Sequence, residues 1–406
     1  MRRQQLLVIG GSYAACELAA HARECGYDED ILLVSEEPEL PYHRPPLSKG
    51  YLKSPSVLVD PLRAAAFYSA NSIDLELGLK VVSLDSGAQT ALLSNGKHVS
   101  FDVLCLAVGA RPRRLSCQGA DLRNVFYLRS IADARCLKAA AADAERIVII
   151  GAGFIGLEVA AALVQQQKWV TVIETESRVL ARVASPEVSE FLHSVHFNHG
   201  VHLVTSRAVQ SLVGEDGVVR KVVLTDGTSI DADIVIGGIG SIPNLELTEP
   251  LGLHTSNGIV VDATSCTSRS NVFAAGDCTV FRGPYNPSGI RLESVQNAID
   301  QSRVAGAAIA GVDKTYESLP WFWSDQYDLR LQMAGVSVGA TERIVRAGPP
   351  DGISVFHFRN DDCICVESVN RPREHVSSRR LLAREKISKG RLQEVDFDVS
   401  ALLKAK

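Results

Sequence analysis

One unit occurs twice in this chain, and the repetition limits what the chain can fold into. An apolar strand, a glycine turn and an alanine-rich helix are written as "LLVIGGSYAACELAA" from Leu6 and again as "RIVIIGAGFIGLEVAAALV" from Arg146, with the turn glycines Gly10 and Gly151 separated by 141 positions. A repeat this long is a duplicated domain-sized unit, not the short-period stacking of a solenoid. Each copy leads into a second apolar strand that ends in acid: "DILLVSEE" closes on Glu36 and Glu37, and "WVTVIETE" on Glu174 and Glu176. The spacing from turn glycine to acid is 26 residues (Gly10 to Glu36) and 23 residues (Gly151 to Glu174). Both fit a βαβ unit in which a pyrophosphate lies at the helix N-terminus and the acid takes ribose hydroxyls. Two such units predict two nucleotide sites.

The second turn, "GAGFIG", meets every demand of that fingerprint. Gly151 permits the tight turn, Gly153 lets the pyrophosphate reach the backbone, and Gly156 lets the helix pack on the strand. Ile155 lies in the same six residues and belongs to the candidate set. An acid at Glu174 accepts a ribose 2′-hydroxyl and repels a 2′-phosphate, so NADH is expected rather than NADPH, with Arg178 and Arg182 nearby as the contrary signal. The first turn keeps Gly10 but carries Ser12 where the second glycine belongs and Ala15 where the third does. Alanine is a tolerated third residue. Serine adds one CH₂OH at the place where a phosphate approaches.

Composition bounds the rest. With 406 residues, 46% hydrophobic and 22% charged, the chain can bury two or three cores. The apolar runs are interrupted by glycine and by Glu158 before the roughly 18 residues that a membrane helix needs, so no membrane span is expected. The N-terminus enters a strand without the h-region of a signal peptide, and the nine scattered cysteines read as reduced thiols; a cytoplasmic protein is expected. A net charge of −5 argues against nucleic acid as a partner. After about residue 320, "SVFHFRNDDCICVESVN" reads as strand, turn, strand followed by a basic helical segment.

Further stretches then become specific together. "PYHRPPLSKGYL" (41–52), "AVGARPR" (107–113), "NVFAAGDC" (271–278), "RLESVQNAIDQ" (291–301) and "PWFWSDQ" (320–326) occur in this order. The chain resembles the FAD-dependent, NADH-using ferredoxin reductases that serve bacterial Rieske oxygenases and haem monooxygenases, and it does so over nearly its whole length. The resemblance implies that the first unit holds FAD, with Gly10, Ser12, Ala14 and Ala15 at the pyrophosphate, Glu36 at the adenosine ribose and Val82 on the adenine side. It places Arg44, Pro45 and Lys49 along the flavin, Arg129 beside the nucleotide portion, Asp277 at the ribityl chain and Val295 at the isoalloxazine edge. It pairs Lys49 with Glu158 where flavin and nicotinamide meet, and lays Trp323 over the ring as a lid. Trp321 and Trp323 are expected on opposite faces of an extended segment, so that one of them reaches the flavin.

The resemblance implies an α/β fold with two Rossmann-like domains, the second inserted in the first, and a small α+β domain at the C-terminus. The expected boundaries are 1–108 with 236–318 for the FAD domain, 109–235 for the NAD domain and 319–406 for the last. The implied activity is electron transfer from NADH through FAD to a two-iron two-sulfur ferredoxin that feeds an oxygenase. Related reductases that use rubredoxin, quinone or oxygen, and NADH-sensing flavoproteins, are the alternatives. No cysteine lies in "HRPPLSKG", and Cys16 and Cys25 fall nine residues apart on roughly opposite sides of the first helix, so electrons are expected to leave the flavin directly. His193, His196, His199 and His202 recur every three residues, but without carboxylate or cysteine among them no metal site is expected. Finally, residues 371–391 hold eight Lys or Arg against two Glu, and a docking site for an acidic ferredoxin is expected near Arg379 and Arg380.

Overall fold

The computed structural model describes residues 4–54, 56–348 and 352–404. The chain divides into two compact units, one made of Met1–His43, Asp60–Arg111 and Pro243–Phe322, the other of Arg44–Val59, Pro112–Ile242 and Trp323–Lys406.

The first unit is built on a parallel sheet in the order Val272–Ala274, Val103–Leu106, Gln5–Ile9, Asp30–Ser35, Ile73–Leu77. Its inner strands are apolar on both faces because both faces are covered, whereas the edge strand Ile73–Leu77 carries Asp74 and Glu76. Leu7, Ile9, Leu32 and Val34 enter one core while Leu6, Val8, Ile31 and Leu33 enter the other, the period of two expected of strands. The order reverses at the Gln5–Ile9 strand, and that switch point opens above Gly10, where open α/β sheets bind ligands. The helix Tyr13–Glu24 that follows crosses the helix Val295–Ile309 closely, since a Cβ on Gly306 would come within 2.8 Å of the Leu18 carbonyl oxygen.

The second unit repeats the design. Its parallel sheet runs His202–Val204, Trp169–Ile173, Arg146–Ile150, Ile234–Gly237, Val125–Tyr127, with the switch point above Gly151. Ile147 and Ile149 face one core, Val148 and Ile150 the other. The C-terminal part is a mainly antiparallel sheet, ordered Trp321–Gln326, Leu329–Gly335, Asp362–Val369, Ile353–Arg359, Glu342–Ala347, with the short Ile387–Ser388 strand beside Asp362–Val369. The expected strand, turn and strand is the hairpin of Ile353–Arg359 with Asp362–Val369, and the basic segment forms the helix Pro372–Leu382. The fold is therefore α/β with two Rossmann-like sheets and an antiparallel C-terminal part.

The histidine-bearing helix spans Pro186–Asn198 and ends before Gly200, whose φ of +86° suits glycine. The tryptophans require a correction: side chains two residues apart on a strand share a face. Trp321 and Trp323 therefore lie on one face of the Trp321–Gln326 strand, and the buried Ser324 and Gln326 take the other. Among the described residues, no helix is long and apolar enough to cross a membrane.

Candidate functional site

The first glycine turn shows what its sequence demands. Gly10 adopts a φ of +140°, and a Cβ there would lie 2.2 Å from the Ala107 carbonyl oxygen, so only glycine fits. Its N–H donates to the Val34 carbonyl at 2.9 Å, which ties the turn to the neighbouring strand. Ser12 is the N-cap of Tyr13–Glu24 but makes no side-chain cap. Ala14 and Ala15 are buried, and Gly276 packs against Ala14, with 3.2 Å from a Cβ built on Gly276 to that of Ala14. The "AAGD" stretch, with half-buried Asp277, is thus brought beside the turn although 262 positions separate Ala14 from Gly276. Gln301 fixes it by accepting from Gly276 N–H (2.8 Å) and the Thr279 hydroxyl (2.9 Å). Val295 is the first residue of the helix capped by Ser294. Glu36 is 69% exposed with Lys80 at 3.5 Å, while Glu37 accepts from the Tyr42 hydroxyl at 2.5 Å. Val82 is an apolar side chain left 48% exposed.

The second turn is a stricter version. Gly151 has a φ of +107°, its Cβ would meet the Gly238 carbonyl oxygen at 2.4 Å, and its N–H donates to the Ile173 carbonyl at 2.8 Å. A Cβ on Gly156 would meet the Gly151 carbonyl oxygen at 2.1 Å. A Cβ on Gly153 meets nothing within 4 Å, so the space that this glycine keeps clear lies outside the protein's own packing. Ile155 is 47% exposed beside it. Glu174 accepts from Ala152 N–H at 2.7 Å and from Glu176 N–H at 3.0 Å, which locks the acid against the turn. Arg178 turns inward, donating to the carbonyls of Ala181 and Ala184 and to the Ser189 hydroxyl, whereas Arg182 is exposed.

The helices that follow these turns, Tyr13–Glu24 and Phe154–Val164, have no side-chain cap, while Ile131–Asp143, Pro186–Asn198 and Val295–Ile309 are each capped by a serine. Uncapped N–H groups carrying the positive end of the helix dipole, two obligatory turn glycines and exposed Val82 and Ile155 are what a dinucleotide pyrophosphate and adenine require. The residues fit FAD and a nicotinamide dinucleotide.

Within the second unit a buried carboxylate carries an ion pair. Lys49 Nζ is 2.8 Å from Glu158 Oε2, with exposures of 19% and 3%. The Lys49 ammonium also donates to the Pro45 carbonyl at 3.3 Å, leaving one of its three N–H donors uncommitted among the described residues. Glu158 receives the Ser48 hydroxyl on Oε2 at 2.5 Å and the Ser324 hydroxyl on Oε1 at 2.6 Å. Arg44 donates to the Arg129 carbonyl at 3.0 Å, which brings those two candidates together. Trp323 belongs to the same unit, on the strand that supplies Ser324. Sequence reasoning missed Ser48 and Ser324; their only signal was adjacency to Lys49 and Trp323.

All nine cysteines are free, Cys16 lies 3.3 Å from the Tyr68 hydroxyl, and burial pushes its thiol up, as it pushes Cys278 and Cys363 up to about 12.

Comparison with known proteins gives this arrangement its family. The model for the pyridine nucleotide-disulphide oxidoreductases matches residues 4–302, and that for the reductase C-terminal domain matches residues 321–403. The chain is 42% identical over 397 residues to rhodocoxin reductase of Rhodococcus erythropolis, covering 97% of this chain and 93% of that one. It is 35% identical to a rubredoxin-NAD(+) reductase of Ectopseudomonas oleovorans, covering 91% and 96%. The crystal structure of a covalent putidaredoxin reductase–putidaredoxin complex superposes with a TM-score of 0.93 at 36% identity, covering 99% and 98%. The chain belongs to the pyridine nucleotide-disulphide oxidoreductase family. Within it, the protein is a putidaredoxin and rhodocoxin reductase-like ferredoxin–NAD(P)⁺ reductase, an FAD-dependent oxidoreductase.

Proposed function

We propose that the protein draws electrons from NADH and delivers them through FAD to a two-iron two-sulfur ferredoxin that feeds an oxygenase. The observation that carries this reading is the Lys49–Glu158 pair, a half-buried lysine on a buried carboxylate with one lysine N–H left over. Bound FAD supplies the chemistry of accepting two electrons together and releasing them one at a time. Lys49 holds its N–H donor ready for the negative charge that the flavin gains, and Glu158 keeps that lysine in place. Gly10, Ser12, Ala14 and Ala15 take the FAD pyrophosphate, with Glu36, Val82, Asp277 and Val295 along the cofactor; Arg44, Pro45, Arg129 and Trp323 serve the flavin portion. Gly151, Gly153, Ile155 and Gly156 take the nicotinamide dinucleotide.

Glu174 supports NADH over NADPH because its carboxylate is locked at the turn, and Arg178 is committed elsewhere, leaving Arg182 as the exposed cation. Docking is proposed on the helix Pro372–Leu382, where Arg380 is exposed and Arg379 half-buried. Three other cations of that stretch are matched by carboxylates: Arg391 with Glu385 (3.2 Å), Lys386 with Asp362 (2.9 Å) and Lys389 with Glu342 (3.0 Å). The patch that remains is smaller than the sequence suggests.

The test is anaerobic titration of the FAD-loaded protein with NADH, followed by addition of a two-iron two-sulfur ferredoxin. Bleaching of the flavin and rapid reduction of the ferredoxin are expected. The 35% identity to a rubredoxin-NAD(+) reductase makes rubredoxin the second acceptor to offer. Reduction of rubredoxin alone would replace the ferredoxin reading.

A further inference from the structure

Glu158 is the end of a longer chain of polar side chains, all within the second unit. Its Oε1 receives the Ser324 hydroxyl at 2.6 Å; Ser324 Oγ in turn receives Gln326 Nε2 at 3.1 Å. Gln326 Oε1 lies 2.8 Å from His196 Nε2, and His196 Nδ1 lies 2.9 Å from the Tyr327 hydroxyl. Glu158, Ser324, Gln326 and His196 are all buried, and Tyr327 stacks on exposed His199 with ring centroids 3.8 Å apart. Counted from Lys49 and Ser48, the line draws on four segments: the "PPLSKG" stretch, the helix Phe154–Val164, the helix Pro186–Asn198, and the strand Trp321–Gln326 with Tyr327 just after it.

The donors and acceptors allow one direction of hydrogen bonding through this chain. A carboxylate only accepts, so Ser324 must donate to it and can only accept from Gln326. The Gln326 amide, with its nitrogen committed to Ser324, turns its oxygen to His196, so Nε2 of His196 carries the proton and Nδ1 accepts from Tyr327. Burial supports the same state, holding the His196 pKa down to about 4 and its imidazole neutral. Every donor in the line therefore points toward Glu158. Side-chain alternation makes the line a clamp as well. Ser324 and Gln326 share one face of their strand, so fixing both sets the register of the strand and the aim of Trp323 on its other face.

We propose that Ser324, Gln326 and His196 are positioning residues for the Lys49–Glu158 pair, holding the Glu158 carboxylate so that Lys49 keeps one donor for the flavin. The inference rests on the FAD and NADH reading above. Without the Ser324 hydroxyl, one Glu158 oxygen loses its partner, and the carboxylate draws more fully on Lys49, which then has less to offer the flavin. A hydrogen bond to a charged group controls about a tenfold effect or more.

The experiment compares FAD-loaded wild type with Ser324→Ala and Ser324→Thr. For Ser324→Ala the limiting rate of flavin bleaching by NADH should fall about tenfold, with NADH affinity within about twofold of wild type. Its flavin midpoint potential should move negative by about 30 mV, the tenfold equivalent for a two-electron couple. Ser324→Thr, which retains the hydroxyl, should restore both. Unchanged rate and potential in Ser324→Ala, or a loss that threonine does not restore, would overturn the proposal. A second measurement does not depend on cofactor: nitrogen NMR of His196 in the full chain should show the Nε2–H tautomer at neutral pH and lose it in Gln326→Leu. The Nδ1–H tautomer in wild type would overturn the proposal even if FAD and NADH behave as described. A wild-type protein that NADH cannot bleach, with His196 in the expected tautomer, would instead sink the proposed function.

Discussion

Gly153→Ala separates what the second turn needs for folding from what it needs for binding. The added methyl meets nothing within 4 Å, and the φ of −77° at this position is open to any residue. Alanine is a poorer N-cap than glycine, but it also lowers the entropy of the unfolded chain by about 0.4–1 kcal/mol, so the two effects offset to within about 1 kcal/mol. The melting temperature should therefore move by less than about 5 °C. On the proposed placement, a bound nucleotide meets the methyl directly. A pyrophosphate pushed off the uncapped N–H groups loses charge-assisted hydrogen bonds of about 1.5–3 kcal/mol, which weakens NADH by about tenfold to a hundredfold. The assay pairs thermal unfolding with NADH affinity from rapid-mixing reduction of the flavin. NADH affinity within threefold of wild type would refute the placement of the pyrophosphate over Gly153. A melting loss well beyond 5 °C would show that the space belongs to the protein's own packing.

Gly156→Ala should behave in the opposite way, because its methyl falls 2.1 Å from the Gly151 carbonyl oxygen; overpacking of about 1–3 kcal/mol is expected in denaturant unfolding, and an unchanged midpoint would show that the helix can shift freely. His196 couples stability to pH. Its folded pKa lies below the unfolded value of 6.5, at about 4, so the unfolded chain takes up the proton first, and up to about 3 kcal/mol is lost as pH falls from 6.5 to 4. An imidazole that stays neutral by NMR at pH 5 supports this, and one already protonated there removes it. Neutralising Arg379 and Arg380 to glutamine should slow ferredoxin reduction severalfold at low salt while sparing NADH oxidation by a small dye; equal loss of both would exclude the helix as a docking face.

The parts of this protein that were legible in its sequence are those with local causes. Strand, glycine turn, helix and terminal acid each follow from a period of two, from a φ that only glycine tolerates, or from a spacing within one βαβ unit. Features settled by approach from elsewhere in the chain were not legible. Ser48 and Ser324 reach Glu158 from 110 and 166 residues away, and nothing local distinguishes them from solvent serines. Arg178 lies near the acid in sequence, yet its guanidinium serves two carbonyls of its own loop and the Ser189 hydroxyl on the helix that follows. The four histidines at intervals of three do not converge: His193 is half-buried, buried His196 and exposed His199 meet Tyr327 in different ways, and His202 takes an exposed strand position. The basic stretch loses part of its charge to Asp362 and Glu342, which a count confined to residues 371–391 omits. The tryptophan expectation failed for a simpler reason, a parity error that the strand itself corrects.

Ser12 is the departure that tests how far the two turns are equivalent. Were their backbones alike, the Ala15 methyl would strike the Gly10 carbonyl as a methyl on Gly156 would strike Gly151. The turns part just before the helix, with φ of −142° at Ser12 against −77° at Gly153. The first turn is thus shaped around two side chains that the second turn lacks. On the proposed placement of FAD, the Ser12 hydroxyl donates to the pyrophosphate in exchange for the closer approach that glycine allows. Ser12→Ala, which keeps the Cβ and removes the hydroxyl, should weaken FAD about tenfold, and Ser12→Gly should not recover that loss, because the backbone around Ala15 stays as it is. Equilibrium dialysis of FAD against the three proteins decides the matter. Tighter FAD binding by Ser12→Gly than by wild type would mean that the serine obstructs the turn, and that the two copies bind their pyrophosphates in the same way after all.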